Sequence, residues 1–366
     1  MCTWTRSQSD GNLRESSGYH VRTGLRALVL LLVWLSVSLS AHGSSRTKDD
    51  VVYMKNGDKI TGEIQSLAQG QLSVKPDYAS SSIVLDWNQV DHVESKQQFV
   101  IIDPNGLVYS GTLSGKRNEL VVTAEQSTTL VPENVIEIDQ LGTTFLKRLR
   151  GDADLGMSFA RSNGQKNLTL QTDLGYQSTE YVFALNTMSQ FSSQEKTNDT
   201  NETTVKTQLF KQLRESKWYA GGLANFLSSS EQQIDLRSTL GGAFARRQIF
   251  TNRTNLNFVG GLGYTNEKDA ENSTSTSQSN SIDGAFAAQY STFRFDSTTF
   301  NTSLWVYPSI TSAGRVRFTL NQDVYYKFLK DFYLRMSFYD NYDNRPNVGT
   351  PSNNLGATTT VGWSFH

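Results

Sequence analysis

The chain of 366 residues balances 34 Lys and Arg against 35 Asp and Glu, a formal net charge of −1, and is 37% hydrophobic and 19% charged. That balance excludes a disordered polyelectrolyte and a globally basic surface for nucleic acid. Aromatics at 11%, 27 glycines and only 6 prolines favour strands and turns over helices.

In chain order, Ala27 to Ser40 is an apolar run of 14 residues, preceded by Arg22 and Arg26 and followed by small residues at Ala41, Gly43, Ser44 and Ser45. This is the order of a secretion signal, here 1–43, and the run falls short of the roughly 20 residues a spanning helix needs. The polar lead Met1 to His20 is long for such a signal and moves the expected translation start towards Val21. The sole cysteine, Cys2, precedes the expected cleavage point. The mature chain is therefore expected to lack disulfides and thiolate chemistry, in keeping with an envelope compartment.

Residues 50–140 contain a repeat, 50–95 and 96–140, with a period of roughly 45 to 49 residues. Asn56-Gly57 and Gly62 of the first copy match Asn105-Gly106 and Gly111 of the second, and Trp87 to Val93 matches Pro132 to Ile138. Asn-Gly between alternating apolar runs predicts a type I′ hairpin, and each copy reads as a bent hairpin followed by short strands. It resembles the small SH3-like or Sm-like β-barrel used as an interaction module. The segment holds 13 acidic and 6 basic side chains, so nucleic acid is excluded as a partner. A periplasmic protein or peptidoglycan is the expected partner, with a simple folded spacer as the alternative. Residues 141–150, with Lys147, Arg148 and Arg150, read as a linker, either against lipid head groups or solvated.

From 151 to 366 the sequence predicts about twelve strands, near 152–161, 167–178, 181–191, 203–214, 218–227, 234–248, 253–265, 281–295, 300–310, 315–328, 331–340 and 354–365. Leu168, Leu170, Leu174 and Tyr176 alternate with Thr169, Gln171, Asp173 and Gln177, a two-residue period with one greasy and one polar face. Connections after alternate strands are short, whereas 192–202, 266–280 and 341–353 are long and polar. Short turns on one rim and long loops on the other, with aromatics near strand ends at Tyr176, Tyr181, Trp218, Tyr264, Tyr290, Tyr342 and Trp363, describe an all-β, antiparallel barrel of transmembrane type facing outer-membrane lipid. Its short-turn rim, and the repeat that precedes it, are expected in the periplasm.

The last strand ends Val361-Gly-Trp-Ser-Phe365, one residue short of the terminus at His366, and resembles the aromatic-ending signal read by the barrel-insertion machinery. Together with Gly151-Asp-Ala-Asp-Leu-Gly156 it makes the segment similar to the YdiY-like family of salt-induced outer-membrane proteins, a domain of unknown function. That resemblance implies an outer-membrane location and an osmotic response, and it supplies no catalytic residues.

Chemistry is thinly represented. The four histidines are His20 and His42 in the signal region, His92 on the repeat and His366 at the terminus, which leaves no base for a histidine-dependent hydrolase inside the barrel. No zinc spacing or phosphate loop occurs, and no cofactor is expected. With the apolar face towards lipid, Arg237, Arg315, Arg317, Asp323, Lys327 and Arg335 point into the lumen. They either line a narrow anion-selective pore or pair with one another and plug it. The barrel segment carries 19 acidic and 19 basic residues, so no global field selects between these. The expected function is non-enzymatic, a small channel or envelope-stabilising barrel linked to salt or osmotic stress. The alternative is a soluble periplasmic barrel or sandwich that binds a lipid or other apolar ligand.

Overall fold

The computed structural model describes residues 49–366 apart from 125, 142–148, 161–164, 179, 194–198, 215, 271–277, 294–297, 330, 348 and 366. The expected secretion signal, His20, His42, Lys147, Arg148 and His366 lie outside the described residues.

The duplicated segment forms nine strands: β1 (Asp50–Met54), β2 (Lys59–Ala68), β3 (Gln71–Lys75), β4 (Ile83–Asp86), β5 (Val90–Ile102), β6 (Val108–Lys116), β7 (Glu119–Thr123), β8 (Ser127–Leu130) and β9 (Glu137–Gln140). The long β5 belongs to both copies. Its first half pairs with β1, Val52 opposite Val93, and its second half with β9, Ile101 opposite Ile138. Each copy's last strand also reaches the other's second strand, Leu67 opposite Ile138 and Ser95 opposite Leu113. One core results, in which Val52, Ile64 and Leu72 pack with Phe99, Ile101 and Leu120. The indole N–H of Trp87, at the matched position in the first copy, donates to the Pro132 carbonyl of the second over 2.7 Å.

The two Asn-Gly turns depart from the expected type I′, which needs positive φ at both central residues. Only Gly57 and Gly106 have positive φ, +94° and +82°. The Gly57 N–H donates to Met54 O over 2.9 Å and the Gly106 N–H to Asp103 O over 3.0 Å. These are three-residue loops, a tight turn closed by a left-handed glycine, which suits Pro104 in the second copy because its fixed φ presets the turn. Gly62 and Gly111 are also equivalent, since a Cβ on either would meet a carbonyl oxygen of the facing strand, Lys75 or Thr123.

Twelve further strands close a barrel: β10 (Leu149–Ala160), β11 (Gln165–Gln177), β12 (Tyr181–Ser193), β13 (Thr200–Gln212), β14 (Trp218–Ser229), β15 (Ile234–Phe250), β16 (Thr254–Asp269), β17 (Gln278–Phe293), β18 (Thr298–Pro308), β19 (Val316–Lys327), β20 (Phe332–Asp343) and β21 (Asn353–Phe365). Each pairs antiparallel with the next, and β21 returns to β10 with Gly151 opposite Phe365. The twelve expected strands are all present. The long loops are shorter than expected, 270–277 and 344–352, because β16 and β20 run on through polar sequence. With Glu267, Asp269 and Asp343 facing a polar interior, those strand ends need no apolar residue. Arg315 falls just before β19, in the connection 309–315.

Candidate functional site

The barrel is greasy outside and polar inside. Leu240, Phe244, Phe258 and Leu262 on β15 and β16 are 46–60% exposed, while Ala243 and Val259 on the alternate face are 6% exposed. Tyr181, Trp218, Tyr264 and Trp363 are also exposed on the outer surface. Such a surface matches hydrocarbon with an aromatic fringe, and leaves the lumen as the place where chemistry collects.

One strand organises that lumen. The inward row of β20 bonds across it to strands from the first half of the barrel. The Arg335 guanidinium donates to Asp323 on neighbouring β19 over 2.9 Å, to Asp173 on β11 over 2.7 Å and to Asp154 on β10 over 3.2 Å. With its amide oxygen turned towards the guanidinium, Gln171 accepts two more bonds, of 2.5 and 3.0 Å. Arg335 also lies over the Tyr325 ring at 4.8 Å. Further along the row the Tyr339 hydroxyl donates to Gln190 on β12 over 3.1 Å, and the Asn341 amide donates to Glu202 on β13 over 3.4 Å. The Asp343 carboxylate pairs with Arg237 on β15 at 3.5 Å.

At the long-loop rim a second network forms. Arg237 donates to Glu267 over 2.6 Å, Arg315 bridges Glu267 and Asp343 at 3.2 and 2.6 Å, and Arg317 pairs with Asp283. Strands β15 and β20 stand five apart in the ring of twelve, so the Arg237–Asp343 pair spans the lumen. Asn347, in the loop between β20 and β21, donates to Asp269 over 3.0 Å and reaches the Gln232 and Gln233 carbonyls at 3.3 Å. That loop therefore crosses the mouth.

Of the residues singled out from sequence, Arg237, Arg317, Asp323 and Arg335 line the lumen cavity, Arg315 sits among their carboxylates at the rim, and Lys327 shares the β19 inner face without an ion pair among the described residues. Alternation alone missed their partners, Asp154, Asp173, Glu267, Asp283 and Asp343. Asp173 was visible on a polar strand face, but only strand register places it beside Arg335. His92 lies outside the lumen, 2.9 Å from Asp91 and stacked on Tyr53 at 4.2 Å.

The repeat segment is seated on the short-turn rim. The Asn252 amide donates to Val135 O over 2.8 Å, the Gln212 amide to Gly106 O over 3.1 Å and the Gln177 amide to Glu137 over 2.7 Å. Arg150, in β10 and not in a linker, lies 3.8 Å from Asp139. Phe250 buries its ring with Ile102 and Ile136, and Arg247 lies over it at 3.9 Å. Burial at this seam pushes the Glu137 carboxyl up to about 6, with Asp139 adding to the rise and Arg247 and Arg150 opposing it. The duplicated turns have different fates: Gly106 packs on Gln212, whereas nothing lies within 4 Å of a Cβ at Gly57.

Among solved structures the chain is similar to the NanC porin, with 13% identity and a TM-score of 0.37 over 60% of this chain and 99% of that one. It is similar to the translocator domain of the autotransporter NalP from Neisseria meningitidis, with 13% identity and 0.33 over 59% and 86%. An outer-membrane channel from Pseudomonas putida F1 matches at 11% identity and 0.33 over 59% and 94%. No curated protein matches. The family described as "Protein of unknown function, DUF481" matches residues 153–365, the twelve-stranded barrel and more than half of the chain. The chain belongs to that DUF481 family.

Proposed function

We propose that this protein is a non-enzymatic outer-membrane barrel that is closed at rest, stabilises the envelope and holds its acidic repeat segment on the periplasmic rim. The observation that carries this reading is the span from Arg237 and Arg315 to Glu267 and Asp343, which uses the rim arginines as struts instead of leaving them free to select anions. The alternative of a soluble barrel around an apolar ligand fits poorly with charges inside and leucine and phenylalanine outside. Among the described residues the barrel holds no histidine, which leaves no imidazole base there for histidine-dependent hydrolysis. Docking of a further periplasmic component on the repeat, and the salt response implied by the YdiY-like resemblance, belong to the same proposal.

Planar-bilayer recording of the full chain tests it. The wild type is expected to give no sustained conductance steps, and the double variant Arg237→Ala, Arg315→Ala to give steps once the struts are gone. Sustained open steps from the wild type would overturn the closed barrel.

A further inference from the structure

On the outer surface, the short-turn end of strands β12 to β16 concentrates positive charge. Residues 178–182, 209–220 and 244–258 carry Lys211, Arg214, Lys217, Arg246, Arg247 and Arg253 against Glu180 and Glu215. Arg247 turns to the seam, where its charge opposes that of Glu137, and Asp139 of the repeat meets Arg150. The other cations are left over. Among the described residues Arg214, Lys217, Arg246 and Arg253 form no ion pair, with the acidic repeat or with the barrel.

Two of these basic side chains are set in the aromatic fringe. Register puts Arg246 on β15 opposite Trp218 on β14 and Phe258 on β16, and its guanidinium lies over the Trp218 indole at 5.4 Å. Lys211 on β13 stands opposite Tyr181 on β12, with its ammonium 5.3 Å from the ring centroid. Lys211 also pairs with Glu180 at 3.3 Å, but both side chains are more than half exposed, and such a pair is weak. Trp218, Phe244 and Phe258 are 47, 60 and 46% exposed, so Arg246 sits at the edge of a greasy surface. Stacking uses the face of a guanidinium and leaves its in-plane N–H donors free, and at the margin of hydrocarbon those donors need an acceptor. A phosphate diester in the headgroup layer is such an acceptor, with its acyl chains running over Phe244 and Phe258. The local excess of positive charge favours a headgroup whose phosphate is not neutralised by its own amine. We infer that this arc of the rim is a docking surface for anionic phospholipid, with Arg246 as the phosphate anchor. The inference rests on the outer-membrane reading above.

Trp218 reports on the lipid beside Arg246. The full chain is folded into phosphatidylcholine vesicles holding brominated phosphatidylglycerol or brominated phosphatidylcholine at one mole fraction, since bromine quenches tryptophan on contact. The share of Trp218 is the emission lost in Trp218→Phe. That of Trp363, exposed at the same rim on β21, five strands away in the ring, is the emission lost in Trp363→Phe. Quenching of Trp218 is expected to correspond to at least about fivefold enrichment of phosphatidylglycerol, the worth of one basic side chain at an anionic surface, and to fall to about twofold or less in Arg246→Gln. Trp363 should be quenched alike by the two lipids. Arg246 is exposed, so the variant keeps its fold, and heat-modifiable migration checks it. Equal quenching of Trp218 by the two lipids, the same enrichment at Trp363, or enrichment unchanged in Arg246→Gln would overturn the docking surface. Quenching of Trp218 by neither lipid would overturn the outer-membrane reading itself, and the docking surface with it.

Discussion

Arg335→Met isolates the strongest of the lumen ties. The side chain is 3% exposed and its guanidinium contacts Asp154, Asp173 and Asp323 at 2.7–3.2 Å. Methionine keeps much of the packing over Tyr325 but removes the cation, leaving three carboxylates facing one another in a water-poor interior. Breaking a buried pair by removing one partner costs about 3–5 kcal/mol, and three anions left together place the loss at the upper end of that range. At about 1.4 kcal/mol per decade, the folded-to-unfolded ratio then falls by about a thousandfold or more. Urea unfolding in lipid vesicles, followed by tryptophan fluorescence and checked by heat-modifiable migration, measures it. Adding Asp173→Asn and Asp323→Asn to the variant should recover a substantial part of the loss, because the repulsion goes with the charges. A loss under about 1 kcal/mol, or a loss indifferent to those asparagines, would refute the account of Arg335 as counter-ion to three carboxylates.

Three more outcomes follow from the seam and the repeat. Glu137 has its value raised from 4.5 to about 6 when seated, so the seated form binds the proton more tightly. Seating is firmest below about pH 4.5 and weakens as pH rises through 6, by up to about 2 kcal/mol, and hydrogen exchange at Ile136 should show this and lose it in Glu137→Gln. Gly70 has φ +72°, and a Cβ there would stand 2.9 Å from the Asn252 carbonyl oxygen; Gly70→Ala and Asn252→Ala should each raise exchange at Val135 and Ile136 while leaving the barrel's heat-modifiable migration intact, the latter at about 1–3 kcal/mol for a carbonyl left unpaired. Trp87→Ala removes a side chain 2% exposed and should cost about 3–5 kcal/mol. Exchange protection should drop in both copies together, and a drop confined to residues 50–95 would contradict a shared core.

The barrel was legible because its code is local. Val316, Phe318, Leu320 and Val324 against Arg317, Thr319, Asn321 and Asp323 state which face is which without reference to any other strand. Strand ends such as Asn266 to Asp269 were harder, since a polar lumen makes a strand there look like a loop. The sharing of β5 between two repeats escaped the sequence for another reason: internal similarity reveals the period but carries no information about which copy completes which sheet. The seam at Asn252, Gln212 and Gln177 was equally hidden, because turn asparagines and glutamines look alike whether they face water or a carbonyl. Likewise the arginines could be placed in the lumen by alternation, whereas pore lining and mutual pairing differ only in cross-lumen register.

The concentration of lumen ties on β20 has a consequence for the order of assembly. Asp154, Asp173, Gln190, Glu202 and Arg237 sit on strands made early in synthesis, yet partners for all five come from the penultimate strand. A nascent sheet of β10 to β15 entering lipid by itself would carry Asp154 and Arg237 without their counter-ions, Asp173 with only the Asn186 amide and Glu202 with only the Ser229 hydroxyl, at several kcal/mol for each uncompensated charge. Strand-by-strand insertion is thereby penalised, and waiting for the final hairpin is rewarded. The interior acts as a completeness check, since a chain that stops before β20 has an outside suited to lipid and an inside that is not.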